Sequence, residues 1–134
     1  MPAPMTVART DRYETAVVRR LVDEVMNERR LDVLDELCTP SMARRWRRWV
    51  APFQAPFPDM RMEIVQLVAE GDTVVGRFTC SATHTGEWRG HAATGRRFEN
   101  VEEVYFFSFQ EGRIAGAWGL EDTLDRMRQL GLEA

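Results

Sequence analysis

The hydrophobic period of this chain changes once, and that change limits its fold more than any other feature. Through residues 13–53 apolar side chains recur every three or four positions; from Met60 onward they recur every second one. Tyr13, Val17, Val18, Leu21, Val22, Val25 and Met26 make the stripe of a long amphipathic helix, opened by an Asp11/Glu14 capping box. Leu31, Leu34 and Leu37 mark a shorter helix behind a turn at residues 27–30. A third helix starts at Pro40-Ser41, with Met42, Trp46, Trp49, Val50 and Phe53 on its apolar side. Pro52, Pro56 and Pro58 then break the pattern. Four extended segments follow, at 60–69, 73–84, 96–109 and 113–121. Their separators are Glu70-Gly71-Asp72, a longer loop holding Gly86, Gly90 and Gly95, and Gln110-Glu111-Gly112. A helix over Thr123–Leu130 ends the chain. Helices first and a strand meander afterwards predict an α+β fold, a curved antiparallel sheet with helices on one face.

The 134 residues suit a single domain, read as 11–134 behind a loose tail at 1–10. Net charge is −3, which disfavours a general nucleic-acid binder. No apolar run approaches the roughly 20 residues of a membrane helix. The first residues lack the basic and apolar blocks of a signal peptide, so a cytoplasmic protein is expected. Cys38 and Cys80 lack CxxC spacing, and His84 and His91 are the only histidines; no disulfide framework or metal site is expected.

Strand parity sorts the remaining candidates. In 96–109, Phe98, Asn100, Glu102, Val104, Phe106 and Ser108 share one face, taken as the inward one. Val101, Glu103, Tyr105, Phe107 and Phe109 share the other. Both faces carry aromatics, so both need cover. Helices cover one; a second copy of the chain, or an N-terminal arm or loop, covers Tyr105, Phe107 and Phe109. In 73–84, Val74, Phe78, Cys80, Ala82 and His84 point inward, with His84 at the rim as a hydrogen-bonded structural residue or a catalytic one. In the last strand Ile114, Trp118, Leu120 and Asp122 fall on one face. Asp122 is then either an acid or base at a pocket floor or the N-cap of the following helix.

Phe57-Pro58-Asp59-Met60, Ala69-Glu70-Gly71-Asp72 through Arg77, Thr83-His84-Thr85-Gly86-Glu87 with Gly90 and Thr94-Gly95-Arg96 appear in order. Phe107, Glu111-Gly112-Arg113-Ile114, Trp118, Asp122 and Gln129-Leu130-Gly131 complete the series. Together they resemble the SnoaL-like polyketide cyclases and ester cyclases of the nuclear-transport-factor-2-like superfamily, over nearly the whole chain. The resemblance implies a cone-shaped α+β barrel, with a sheet of 4–6 strands wrapped by three N-terminal helices around a pocket. It implies homodimers through the convex sheet face, and no metal or organic cofactor. It also implies that a carboxylate at Asp122 serves as acid/base in an intramolecular aldol closure. Where such cyclases commonly add a histidine this chain has Ser108, which donates only a neutral hydrogen bond. Related members perform hydroxylation-type tailoring, hydrolyse epoxides or bind ligands.

On this reading the substrate is a hydrophobic, polyketide-like small molecule. Asp122 is the base, its pKa raised from about 3.9 by burial beside Trp118 and Leu120. Glu102 either raises it further as a like charge or pairs with Arg77, Arg97 or Arg113. His84, Ser108, Asn100 and Tyr13 are the candidate donors to a developing enolate. Trp46, Trp49, Phe53, Phe78, Phe106 and Trp118, with Met42 and Met62, are the candidate lining. Epoxide opening by Asp122, Glu102 and Arg97 is the variant reaction. The run Arg44-Arg45-Trp46-Arg47-Arg48 docks an acidic carrier, grips a substrate carboxylate, or is a solvated helix face over the tryptophans.

Overall fold

The N-terminal stripe folds as helix α1, α-helical over residues 13–20 and π-helical over Leu21–Asn27, in a computed structural model that describes residues 13–132. Asp11 of the capping box and the 1–10 tail lie outside the described residues. Val18, Leu21, Val22 and Val25 are buried. At the end of α1 the Asn27 amide exchanges two hydrogen bonds with the backbone of Met62, donating to its carbonyl at 2.9 Å and accepting from its N–H at 2.7 Å. A 3-10 turn, Leu31–Val33, leads into α2, Leu34–Leu37. Helix α3, Pro40–Gln54, starts with proline in its first turn, where a missing N–H costs nothing.

The sheet has four antiparallel strands in the order β1-β2-β3-β4: Arg61–Glu70, Thr73–Thr83, Arg97–Gln110 and Arg113–Glu121. Helix α4, Thr123–Leu130, closes one end and stops at Gly131, whose positive φ of 74° suits a residue without a Cβ. The helices pack on the concave face and the whole is an α+β cone, with the elements close to their expected bounds. No helix among the described residues is long and apolar enough to cross a membrane.

Three β-bulges shape the sheet, and two of them invert the expected faces. The register between β2 and β3 shifts after Cys80↔Val101, leaving Asn100 as an extra residue at φ 52°. Phe98 is inside, as expected, but beyond the bulge Val101, Glu103, Tyr105, Phe107 and Phe109 are the buried set. Glu102, Val104, Phe106 and Ser108 lie outside. The β3–β4 register shifts between Phe109↔Ile114 and Ser108↔Gly116, with Ala115 extra. Ile114 is inside, but from there Ala117, Gly119 and Glu121 turn inward, while Trp118, Leu120 and Asp122 turn outward. The third bulge, at Val65 of β1, bends the edge strand.

One expectation is corrected here. Tyr105 and Phe107 are not an open face awaiting a second copy; their rings stand 6.1 and 5.9 Å from that of Trp46 in α3. The apolar groups left open are on the other side of the sheet: Phe106, Trp118, Leu120 and Val68. Strand β2 keeps a continuous register as far as Cys80, and Val74, Phe78, Cys80, Ala82 and His84 are all buried as expected.

Candidate acid/base site

Glu103 and Glu121 are direct cross-strand partners on the concave face. Two carboxylates so placed repel each other. The side chain that reconciles them is Arg126, from the buried face of α4. Its Nη1 donates to Glu121 Oε1 at 2.8 Å and its Nη2 to Glu103 Oε2 at 2.9 Å. The guanidinium lies between the rings of Phe53 and Phe98, 5.0 and 4.9 Å from their centroids. Arg126 Nε is buried with no partner among the described residues. The other Glu103 oxygen accepts from the Tyr105 hydroxyl at 2.8 Å.

One guanidinium between two carboxylates leaves the cluster one negative charge in excess when both are ionised. The deeper acid carries that strain: burial, then the charge of Glu121, pushes Glu103 up to about 7, although Arg126 pulls the other way. Burial likewise raises the Tyr105 phenol and the neighbouring Cys80 thiol. For Arg126 the two glutamates outweigh burial and raise the guanidinium further. Glu103 is therefore poised to hold or release a proton near neutrality, while Glu121, its side chain 25% exposed, reaches toward solvent.

Space surrounds this cluster. A cavity of about 50 Å³ lies against Glu103, Tyr105 and Cys80, walled by Met26, Met60 and Met62. An open groove of about 610 Å³ runs between α3 and the edge of β4, with Trp46, Trp49 and Tyr105 on one side and Trp118 and Leu120 on the outer lip. A second recess of about 380 Å³ lies toward Trp88 and Arg89. Trp49 and Glu121 border all three spaces.

The residues expected at the site are placed as follows. Asp122 is exposed and caps α4, its Oδ1 accepting from the Asp125 N–H at 3.0 Å. The bulge at Ala115 gives its inward place to Glu121. Glu102 is on the outer face, where Arg77 binds it at 2.7 Å and lowers its pKa. His84 is fully buried against Phe57 and Trp88; its Nδ1 accepts from the Thr94 N–H at 3.2 Å, and burial lowers its pKa. It lines neither the cavity nor the groove nor the second recess, and its Nε2 is buried with no hydrogen-bond partner among the described residues. Asn100 and Ser108 are exposed on the convex side. Tyr13 is exposed, its ring lying over the Gly112 turn. Phe78 is core, and Phe106 packs on Trp118 outside at 5.7 Å. Of the expected lining, Trp46, Trp49 and Trp118 do come together at the groove.

Sequence parity passed over Glu103, Glu121, Arg126 and Tyr105. Signals for them exist: an asparagine in mid-strand, glycines at 116 and 119 within β4, and an arginine beside Met127 and Leu130 on the inner side of α4.

The family model for SnoaL-like polyketide cyclases matches residues 16–130, and the chain belongs to that family. A search of curated proteins returns no match. Among solved structures the chain is similar to TsrD from Streptomyces laurentii, with 30% identity, a TM-score of 0.72, and coverage of 88% of this chain and 97% of that one. It is similar to IdmH from Streptomyces antibioticus, provisionally named a polyketide cyclase, at 27% identity and TM-score 0.78, over 89% and 99% of the two chains. AclR from Streptomyces galilaeus, provisionally named a hydroxylase, shares the fold at 23% identity and TM-score 0.79, over 90% and 97%.

Proposed function

We propose that this chain is a small-molecule tailoring enzyme that closes a ring in a polyketide-like substrate by acid/base catalysis at Glu121 and Glu103. The observation that carries the reading is the pair of opposed carboxylates sharing one buried guanidinium, with one of them, Glu121, lining an aromatic groove. A C–H bond between two carbonyls is acidic enough for a positioned carboxylate to deprotonate. Glu121 is the carboxylate that reaches the groove, and it takes this proton. The enolate carbon then attacks a second carbonyl of the same molecule, forming the new C–C bond and an alkoxide. The alkoxide takes a proton back, so the reaction is a net isomerisation. Glu103, its carboxyl pushed up by burial and by Glu121, buffers the proton count of the cluster, with Tyr105 and Arg126 holding it in place.

The test is a matched pair of variants. Glu121→Gln lowers turnover about a hundredfold or more, while Asp122→Asn, one residue away but outside, leaves it within a few fold. Equal loss in both, or none in Glu121→Gln, removes Glu121 from the chemistry.

A second reaction is supported by the same arrangement. Two carboxylates flanking an arginine also suit epoxide opening, in which Glu121 takes a proton from the attacking water and returns it to the opened epoxide oxygen. Incorporation of labelled water oxygen into product separates it from ring closure. We also propose that two copies pair through the convex face, where Phe106, Trp118, Leu120 and Val68 are exposed.

A further inference from the structure

We infer that the groove takes a substrate bearing its own anion, a carboxylate on an otherwise flat apolar body, and that Arg45 selects it. This rests on the acid/base reading above and adds the substrate class. The groove walls are apolar, from Met42, Trp46, Trp49, Trp118 and Leu120; the charged side chains lining it are Arg45 and Glu121. Arg45 and Trp49 are four residues apart on α3, so they share a face about one turn, roughly 6 Å, from each other. Trp49 also borders the inner cavity and the second recess; Arg45 borders neither. The cation therefore borders the open groove, whereas Glu121 borders the groove, the inner cavity and the second recess.

What sets this cation apart is its place: Arg44 and Arg48 on the same helix are equally without a partner among the described residues, but they do not line the groove. Arg47, two positions on, is held by Asp35 at 3.1 Å and by the Leu31 carbonyl at 3.0 Å. Arg126 is held by Glu103 and Glu121. Among the described residues Arg45 has no hydrogen-bond or ion-pair partner, and the acid lining its groove is the catalytic one, which Arg126 already holds. The second recess also has an arginine, Arg89, but Glu87 lines it too. A free guanidinium beside indole walls is a two-pronged receptor for a planar carboxylate. The charge pattern also sets direction. An anion is repelled by Glu121 and drawn to Arg45, so the substrate lies with its carboxylate on Arg45 and its enolisable part toward Glu121.

The experiment is calorimetric titration of the full chain at low salt with two probes of one shape, 2-naphthoate and the neutral 2-naphthamide. Wild type binds the carboxylate about tenfold more tightly than the amide. Arg45→Gln removes that preference without weakening amide binding, whereas Arg44→Gln, on the exposed side of the helix, keeps it. Equal affinities in wild type, or a preference that survives Arg45→Gln, overturn the inference; turnover that still depends on Glu121 then leaves the acid/base reading standing. Failure of both probes to bind overturns the inference together with the groove as a substrate site.

Discussion

Replacing Glu103 by glutamine tests the electrostatics of the cluster directly. The amide is the same size, can still accept from Arg126, and can donate to the Tyr105 oxygen in place of the bond it loses. What it cannot do is ionise. In the native protein burial and Glu121 move the Glu103 carboxyl from 4.5 to about 7. That difference corresponds to roughly 3 kcal/mol between its protonated and ionised forms. The folded state thus binds this proton more tightly than the unfolded chain does. The stability it contributes is full below the unfolded value near 4.5, declines as pH rises, and is lost above about 7. Urea unfolding of wild type and Glu103→Gln, measured from pH 4.5 to 8.5, isolates the effect, because groups common to both cancel in the difference. Wild type loses about 3 kcal/mol relative to the variant across that window. A flat difference refutes the dominance of burial at Glu103; a difference of opposite slope shows that Arg126 wins instead. Glu102→Gln is the internal control: Arg77 lowers that carboxyl, so its small contribution is present at high pH and fades as pH falls.

Two further outcomes follow from geometry. A Cβ at position 119 overlaps the Tyr105 ring, so Gly119→Ala costs about 1–3 kcal/mol in denaturant unfolding. It also reduces turnover by displacing the hydroxyl from Glu103; unchanged stability shows the ring moves freely. On the convex face, sedimentation at micromolar concentration gives twice the chain mass for wild type, and Phe106→Glu shifts it to monomer with its fold intact. A monomeric wild type defeats the pairing through that face.

The layout of the chain was readable because periodicity and turn residues are local. The switch of period after the prolines separated helices from strands. Glu70-Gly71-Asp72 and Gln110-Glu111-Gly112 marked the hairpins, and Val74, Phe78, Cys80 and Ala82 pointed inward on an uninterrupted stretch of β2. Parity is a running count, however, and one extra residue inverts everything after it. Phe98 and Ile114 were oriented correctly because each precedes its bulge; Glu102 and Asp122 were not, because each follows one. Asparagine tolerates positive φ, so Asn100 was a faint signal; Ala115 carried none. Arg126 was missed for another reason. Its two acceptors and two aromatic neighbours come from α3, β3 and β4, and no spacing in the chain records that meeting.

The Ala115 bulge has a consequence for how such a pocket changes over generations. The edge strand carries two interleaved sets of side chains, Ala117-Gly119-Glu121 and Trp118-Leu120-Asp122, and because the surplus Ala115 is absorbed in the bulge the first set stays opposite Phe107, Tyr105 and Glu103 on the inner face. Deleting Ala115 would set Gly116 directly after Ile114, restore plain alternation and still leave Ala117, Gly119 and Glu121 facing inward. A bulge of this kind lets the edge strand gain or lose a residue while the inner lining of the cone stays as it is.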